Sequence, residues 1–117
     1  MFIAEQEITL THKTYLLFKD FYIISKNLPK AVRYSIGSKT EQSIIGIFDN
    51  INLALRLPKM SKESSLIRAG AHADTTRLLI RLLHELDLIQ LKQYLKLQSD
   101  LEEILKMLGG WIKYLRV

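Results

Sequence analysis

The sequence predicts an all-α protein: an antiparallel up-down-up-down four-helix bundle built as one domain over residues 1–117. Three observations carry that expectation. Apolar residues recur at spacings of three and four over long stretches, the period of a helix that buries one stripe. No stretch of four or more residues alternates cleanly, and hairpin dipeptides such as Asn-Gly are missing, so β structure is not expected. The breaks between apolar segments are short, which forces neighbouring helices antiparallel.

The first helix is expected from about Thr9 to Asn27, with Leu10, Leu17, Phe21, Ile24 and Leu28 on one stripe and Tyr15, Phe18 and Tyr22 widening it. Pro29 suits the first turn of the next helix, where its missing N–H is no loss. That second helix runs from about Lys30 to Leu57 and carries Ile44, Ile45, Phe48, Ile51 and Leu55. Pro58 ends it, and Ser61 offers an N-cap for a third helix reaching Leu86, with Ile67, Ala71, Leu78, Leu82 and Leu86 on its stripe. The fourth, Leu91 to Leu115, has a seam of Leu91, Leu95, Leu101, Ile104, Leu105, Leu108, Ile112 and Leu115. Asp87 followed by Gln90 resembles a capping box at its entry. Helices of roughly 20–28 residues would be about 30–40 Å long at 1.5 Å per residue. Tyr15, Phe18, Tyr22, Leu53, Leu79, Leu83 and Leu97 fall off the central stripes, leaving apolar surface that self-association would bury.

Gly109 and Gly110 interrupt the fourth helix immediately before Trp111, the only tryptophan. Two adjacent glycines cost a helix about 1 kcal/mol each relative to alanine. Gly109, Gly110 and Trp111 are therefore expected at a helix–helix or subunit contact. Gly37, Gly46 and Gly70 stand alone within helices and are expected to permit close helix packing.

Several function classes are excluded. With no cysteine there is no disulfide framework and no thiolate metal site. No run approaches the roughly 18–20 apolar residues that span a bilayer. Glu5 and Glu7 stand where a secretory signal would carry basic residues, so a cytoplasmic protein is expected. His84-Glu85 begins like a zinc-protease motif, but the residue four beyond His84 is Leu88. No metal, no cofactor and no enzymatic activity are expected.

The net charge of +5 is unevenly spread. Residues 26–81 hold ten cations against four acids: Lys26, Lys30, Arg33, Lys39, Arg56, Lys59, Lys62, Arg68, Arg77 and Arg81. Such an excess points to an anionic partner, nucleic acid being the commonest, with a solubilising surface as the plain alternative. Lys30 and Arg33 lie in the first turn of a helix, beside free backbone N–H groups that favour phosphate. Arg77 and Arg81, one turn apart on one face, are the pair whose charge reversal is expected to abolish binding. Contacts of this kind read backbone phosphate with little sequence readout and strong salt dependence. Tyr34, Tyr94 and Tyr114 are read as packing residues first and base-stacking residues second.

Three segments in order, Leu28-Pro29-Lys30…Arg33-Tyr34-Ser35-Ile36-Gly37, Leu88-Ile89-Gln90-Leu91-Lys92-Gln93-Tyr94 and Met107-Leu108-Gly109-Gly110-Trp111-Ile112-Lys113, resemble the accessory variability determinant (Avd) proteins of diversity-generating retroelements. The likeness extends from about Tyr15 to Leu115. Its first motif is shared with four-helix-bundle proteins encoded in ribosomal RNA intervening sequences, while the Leu-Gly-Gly-Trp ending favours the retroelement branch. The resemblance implies a homopentameric barrel that binds RNA or DNA and associates with the element's reverse transcriptase, without catalysis of its own. Lys30, Arg33 and the Gly109-Gly110-Trp111 unit match the family motifs directly. The alternatives are an intervening-sequence protein and a purely structural interaction scaffold.

Overall fold

A computed structural model describes residues 4–116 and places no strand among them. The chain forms four long rods. They are α1 (Ala4–Ser25), a composite rod, α4 (Lys59–Glu85) and α5 (Leu91–Leu115). The composite rod joins α2 (Lys30–Val32), a π-helical turn (Arg33–Gly37) and α3 (Ser38–Arg56). Helix α1 packs on α3 and α5, and α4 packs on the same two, so the rods form a square in the order α1–α3–α4–α5. The molecule is 46 Å along its longest axis.

The prolines set the starts. Pro29 and Pro58 occupy the N-cap positions of α2 and α4 with extended ψ of 144° and 155°, and neither cap uses a side-chain hydrogen bond. Ser61 is therefore not the cap expected for it but lies inside α4, because the proline backbone already turns the chain into the helix. The expected Asp87–Gln90 box is also replaced. Asp87 takes a left-handed φ of 58° after the end of α4, a conformation aspartate tolerates better than most residues. The capping box belongs to Gln90 and Gln93, whose Oε1 accepts from the Gln90 N–H at 2.9 Å. At the N-terminal side, α1 begins at Ala4, earlier than the expected Thr9.

The π-helical turn is absent from the sequence reading. It widens the rod by one residue per turn, a feature that recurs near functional sites. Two hydroxyls serve carbonyls there: Ser35 Oγ donates to Ala31 O at 2.7 Å, and Thr40 Oγ1 to Ile36 O at 2.7 Å.

The core comprises Leu10, Leu17 and Phe21 of α1, Ile44, Ile47 and Ile51 of α3, Leu66, Ala69, Ala73, Ile80 and Leu83 of α4, and Leu97, Leu101, Ile104, Leu108 and Trp111 of α5. For α1 the expected stripe is the buried one. For α4 it is not: Ile67, Ala71, Leu78, Leu82 and Leu86 all face outward. The inward face of α4 instead carries small and hydroxylated residues, among them Ser65, Ala69, Ala73 and Thr76. Helix α3 shows a milder version, with Ile45 and Leu55 exposed and Thr40, Ser43 and Ile47 turned inward. On α5, Leu91 and Leu95 stand outside the seam.

The reason is how closely α3 and α4 approach. A Cβ on Gly46 would fall 2.6 Å from the His72 ring, so only glycine admits that ring. Beside it, Ser43 Oγ meets Thr76 Oγ1 at 2.7 Å, and both hydroxyls donate to or lie within reach of His72 O. Ser65 Oγ donates to Asn50 O at 3.1 Å. Buried hydroxyls that are hydrogen-bonded in this way carry no desolvation penalty large enough to expel them. Gly37 also packs closely, near Ser25 Oγ, whereas Gly70 faces open space and is not the packing glycine expected.

Candidate nucleic-acid interface and exposed apolar faces

The antiparallel order sends the ten candidate cations to different places. The α1–α2 turn and the α4–α5 turn share one end of the bundle, which Leu28 and Ile89 seal. Lys26, Lys30 and Arg33 lie at that end, and Lys39 follows further along the composite rod, in the first turn of α3. The α3–α4 turn lies at the other end and carries Arg56, Lys59 and Lys62. Arg68 sits within α4, and Arg77 and Arg81 lie in its last third. The expected basic middle of the sequence thus becomes two basic ends joined by scattered charge.

Ion pairing divides the set further. Arg77 Nη2 bonds Asp74 at 3.0 Å and Arg81 Nε bonds Glu85 at 3.0 Å. Hydrogen bonding to Glu85 raises the Arg81 pKa, so that guanidinium is already engaged. The other eight candidates form no ion pair among the described residues. Lys62 Nζ donates instead to Ala54 O near the end of α3. Arg33 lies close enough to Glu41 to pull its pKa down, against the larger effect of burial, which raises it. Free cations are the ones that phosphate can take without first breaking a bond.

On the α1–α5 side Lys13 and Lys96 are paired with acids: Lys13 with Glu103, and Lys96 with Asp20 at 3.3 Å and Asp100 at 3.1 Å. Arg116 pairs with Glu63 at 2.8 Å.

Three cations rest over tyrosine rings. Lys26 Nζ lies 6.0 Å from the Tyr22 centroid, Arg33 Cζ 5.7 Å from Tyr34, and Lys59 Nζ 5.7 Å from Tyr114. Of the three tyrosines expected to pack before they stack, Tyr94 does so, face to face with His84 at 4.4 Å. Tyr114 is half-buried against the core. Tyr34 is 68% exposed.

Trp111 is buried in the core, but Gly109 and Gly110 are exposed, and a Cβ on either would meet nothing within 4 Å. No other helix of the chain approaches them. Of the two contacts expected for this pair, only one between subunits remains available.

Two apolar faces stay uncovered by the described residues. A groove of about 550 Å³ between α1 and α3 is lined by Ile8, Tyr15, Phe48 and Leu55, among others. The outward α4 stripe of Leu78, Leu82 and Leu86 continues onto Leu91 and Leu95 of α5. The square order of the rods puts these faces on opposite sides of the bundle. Among the described residues no group of three or more His, Cys, Asp or Glu is placed to hold a metal ion, and no helix is long and apolar enough to cross a membrane.

The family described as bAvd-like matches residues 8–115, nearly the whole chain. The chain belongs to the bAvd-like family. That family is accessory and non-catalytic. No curated protein matches this bAvd-like chain. Its fold is similar to the crystal structure of a protein of unknown function from the S23 ribosomal protein family of Bacteroides thetaiotaomicron VPI-5482. The two share 22% identity over 92% of this chain and 98% of that one, with a TM-score of 0.84. At that identity the likeness establishes the helical-bundle fold of the bAvd-like chain alone.

Proposed function

We propose that this bAvd-like chain is a non-catalytic accessory protein of a diversity-generating retroelement. It binds the element's RNA or DNA through the cations at the bundle ends and associates with the reverse transcriptase in the cytoplasm. The observation that carries the reading is the set of eight candidate cations without ion pairs among the described residues, in a chain of this family. The same reading assembles the chain as a homopentamer. Its support is the pair of apolar faces on opposite sides: a contact between two different patches is heterologous, and such contacts make a ring where the rotation between copies closes.

The test is binding of a labelled template RNA by fluorescence anisotropy across a salt series, with co-purification of the reverse transcriptase in parallel. Log affinity is expected to fall linearly with log salt, by about 0.7 per phosphate neutralised on a single strand. Lys30→Glu with Arg33→Glu should weaken binding more than reversal at Arg77 and Arg81, whose charges Asp74 and Glu85 already offset. Binding that ignores salt, or no binding at all, overturns the nucleic-acid half of the proposal.

One observation favours a second reading, a protein encoded in a ribosomal RNA intervening sequence: the fold neighbour carries the S23 ribosomal family name. Sequencing the DNA flanking the gene separates the two. A reverse transcriptase gene with a repeat pair differing mainly at adenines supports the first, and a position inside a ribosomal RNA operon supports the second.

A further inference from the structure

The two basic ends are not equivalent. At the α3–α4 end, Tyr114 beneath Lys59 is packed against the core and offers little ring surface. At the α1–α2 end the rings are open: Tyr34 is 68% exposed and Tyr22 46% exposed. Neither ring contributes to the buried core. Between Asp20 and Glu41 the chain carries Lys26, Lys30, Arg33 and Lys39 and not one acid. None of these four forms an ion pair among the described residues.

We propose that the α1–α2 end is a platform for single-stranded nucleic acid, with Tyr34 and Tyr22 stacking on bases and Lys26, Lys30, Arg33 and Lys39 holding the adjoining phosphates. The proposal rests on the nucleic-acid reading above and adds the class of strand and the end of the bundle. A duplex hides its base faces and presents phosphate, so cations alone would serve it. Exposed aromatic rings interleaved with cations are what an unpaired strand uses, since every base has a face to stack. Here each exposed ring has a cation within 6.0 Å of its centroid, which places stacking and charge neutralisation side by side.

The backbone holds the platform still. Arg33 and Tyr34 begin the π-helical turn. Gly37, at the end of that turn, is buried so close to α1 that an added Cβ would lie 3.3 Å from Ser25 Oγ. Val32 and Ile36 pack inward on the core while Tyr34 points away from it. A rigid ring loses less freedom on stacking than a mobile one. The α4–α5 turn contributes Asp87 beside Asn27 and Leu28, so an acidic group bounds the platform on that side.

The experiment compares the full chain binding a labelled single strand of about a dozen nucleotides with the same sequence closed into a duplex hairpin. The single strand is expected to bind tighter. Tyr34→Ala should weaken single-strand binding by about 5-fold or more and leave duplex binding unchanged, while Tyr34→Phe stays near the parent. Tyr22→Ala should act in the same direction. Circular dichroism should show unaltered helix content, because neither ring is part of the core. A silent Tyr34→Ala, an equal loss on both substrates, or no preference for the single strand overturns the platform and leaves the wider nucleic-acid reading standing. No binding of either substrate at low salt overturns both.

Discussion

Gly46 and His72 decide how near α3 comes to α4. The three nearest atoms all belong to the imidazole ring, which does not give way like the end of a lysine chain. Gly46→Ala is therefore expected to destabilise the protomer by about 1–3 kcal/mol, the usual range for overpacking a filled site. Gly70→Ala, where a Cβ meets open space, should raise stability by up to about 1 kcal/mol through helix propensity. Urea titration of both variants checks the pair, and opposite signs are the diagnostic result. Both glycines look alike in the sequence, as isolated residues inside helical pattern. The difference lies in what stands 26 positions away or nowhere near, a separation no local pattern reports. The cations behave differently: Arg77 and Arg81 pair with Asp74 and Glu85, three and four residues away on the same helix, a spacing the sequence itself displays.

Helix α4 shows what periodicity can and cannot reveal about an element. Its existence and length are legible, because Pro58 ends the preceding helix and apolar residues keep helical spacing up to the turn. Its orientation is not. Two helical stripes compete along the same sequence, one of large leucines and one of Ser65, Ala69, Ala73 and Thr76, and hydropathy favours the leucines. The smaller set is buried because a close helix pair needs short side chains, and because the hydroxyls find partners across the seam. Ile80→Ala should then cost about 2–5 kcal/mol, as for any aliphatic truncation in a core. Leu78→Gln, at a position 62% exposed, should change protomer stability by no more than about 0.5 kcal/mol. Thermal or chemical denaturation of the two variants at low protein concentration distinguishes the faces. A large loss from Leu78→Gln under those conditions would reverse the assignment. On α5 the balance runs the other way, since Leu101, Ile104 and Leu108 are both the most apolar and the buried choice.

For the whole molecule, the outward leucines and the exposed glycine pair bear on assembly. Gly109 and Gly110 make a flat place on α5 where another backbone can approach closely. Gly110→Leu should raise the helical stability of the isolated protomer by about 1 kcal/mol. Under the homo-oligomer proposal it should also break the assembly, and sedimentation velocity reads that loss directly. An intact oligomer in this variant would show that the glycines serve some other purpose than subunit contact.

What the sequence determined by itself is the rod count, the antiparallel order, the breaks at the two prolines and the absence of strand pattern. These follow from local backbone preferences and a 3.6-residue period, both properties of neighbouring residues. The family motifs were also legible, and the match over residues 8–115 agrees with them. Only the tertiary structure decided which stripe of α4 is buried and where the chain widens into a π-helical turn. Each involves a partner from another rod: a ring over Gly46, a last turn of α1 against Gly37. Side-chain size and hydrogen-bond satisfaction at those meetings outweigh hydropathy, because a buried hydroxyl with a partner costs little and a leucine with no room costs much.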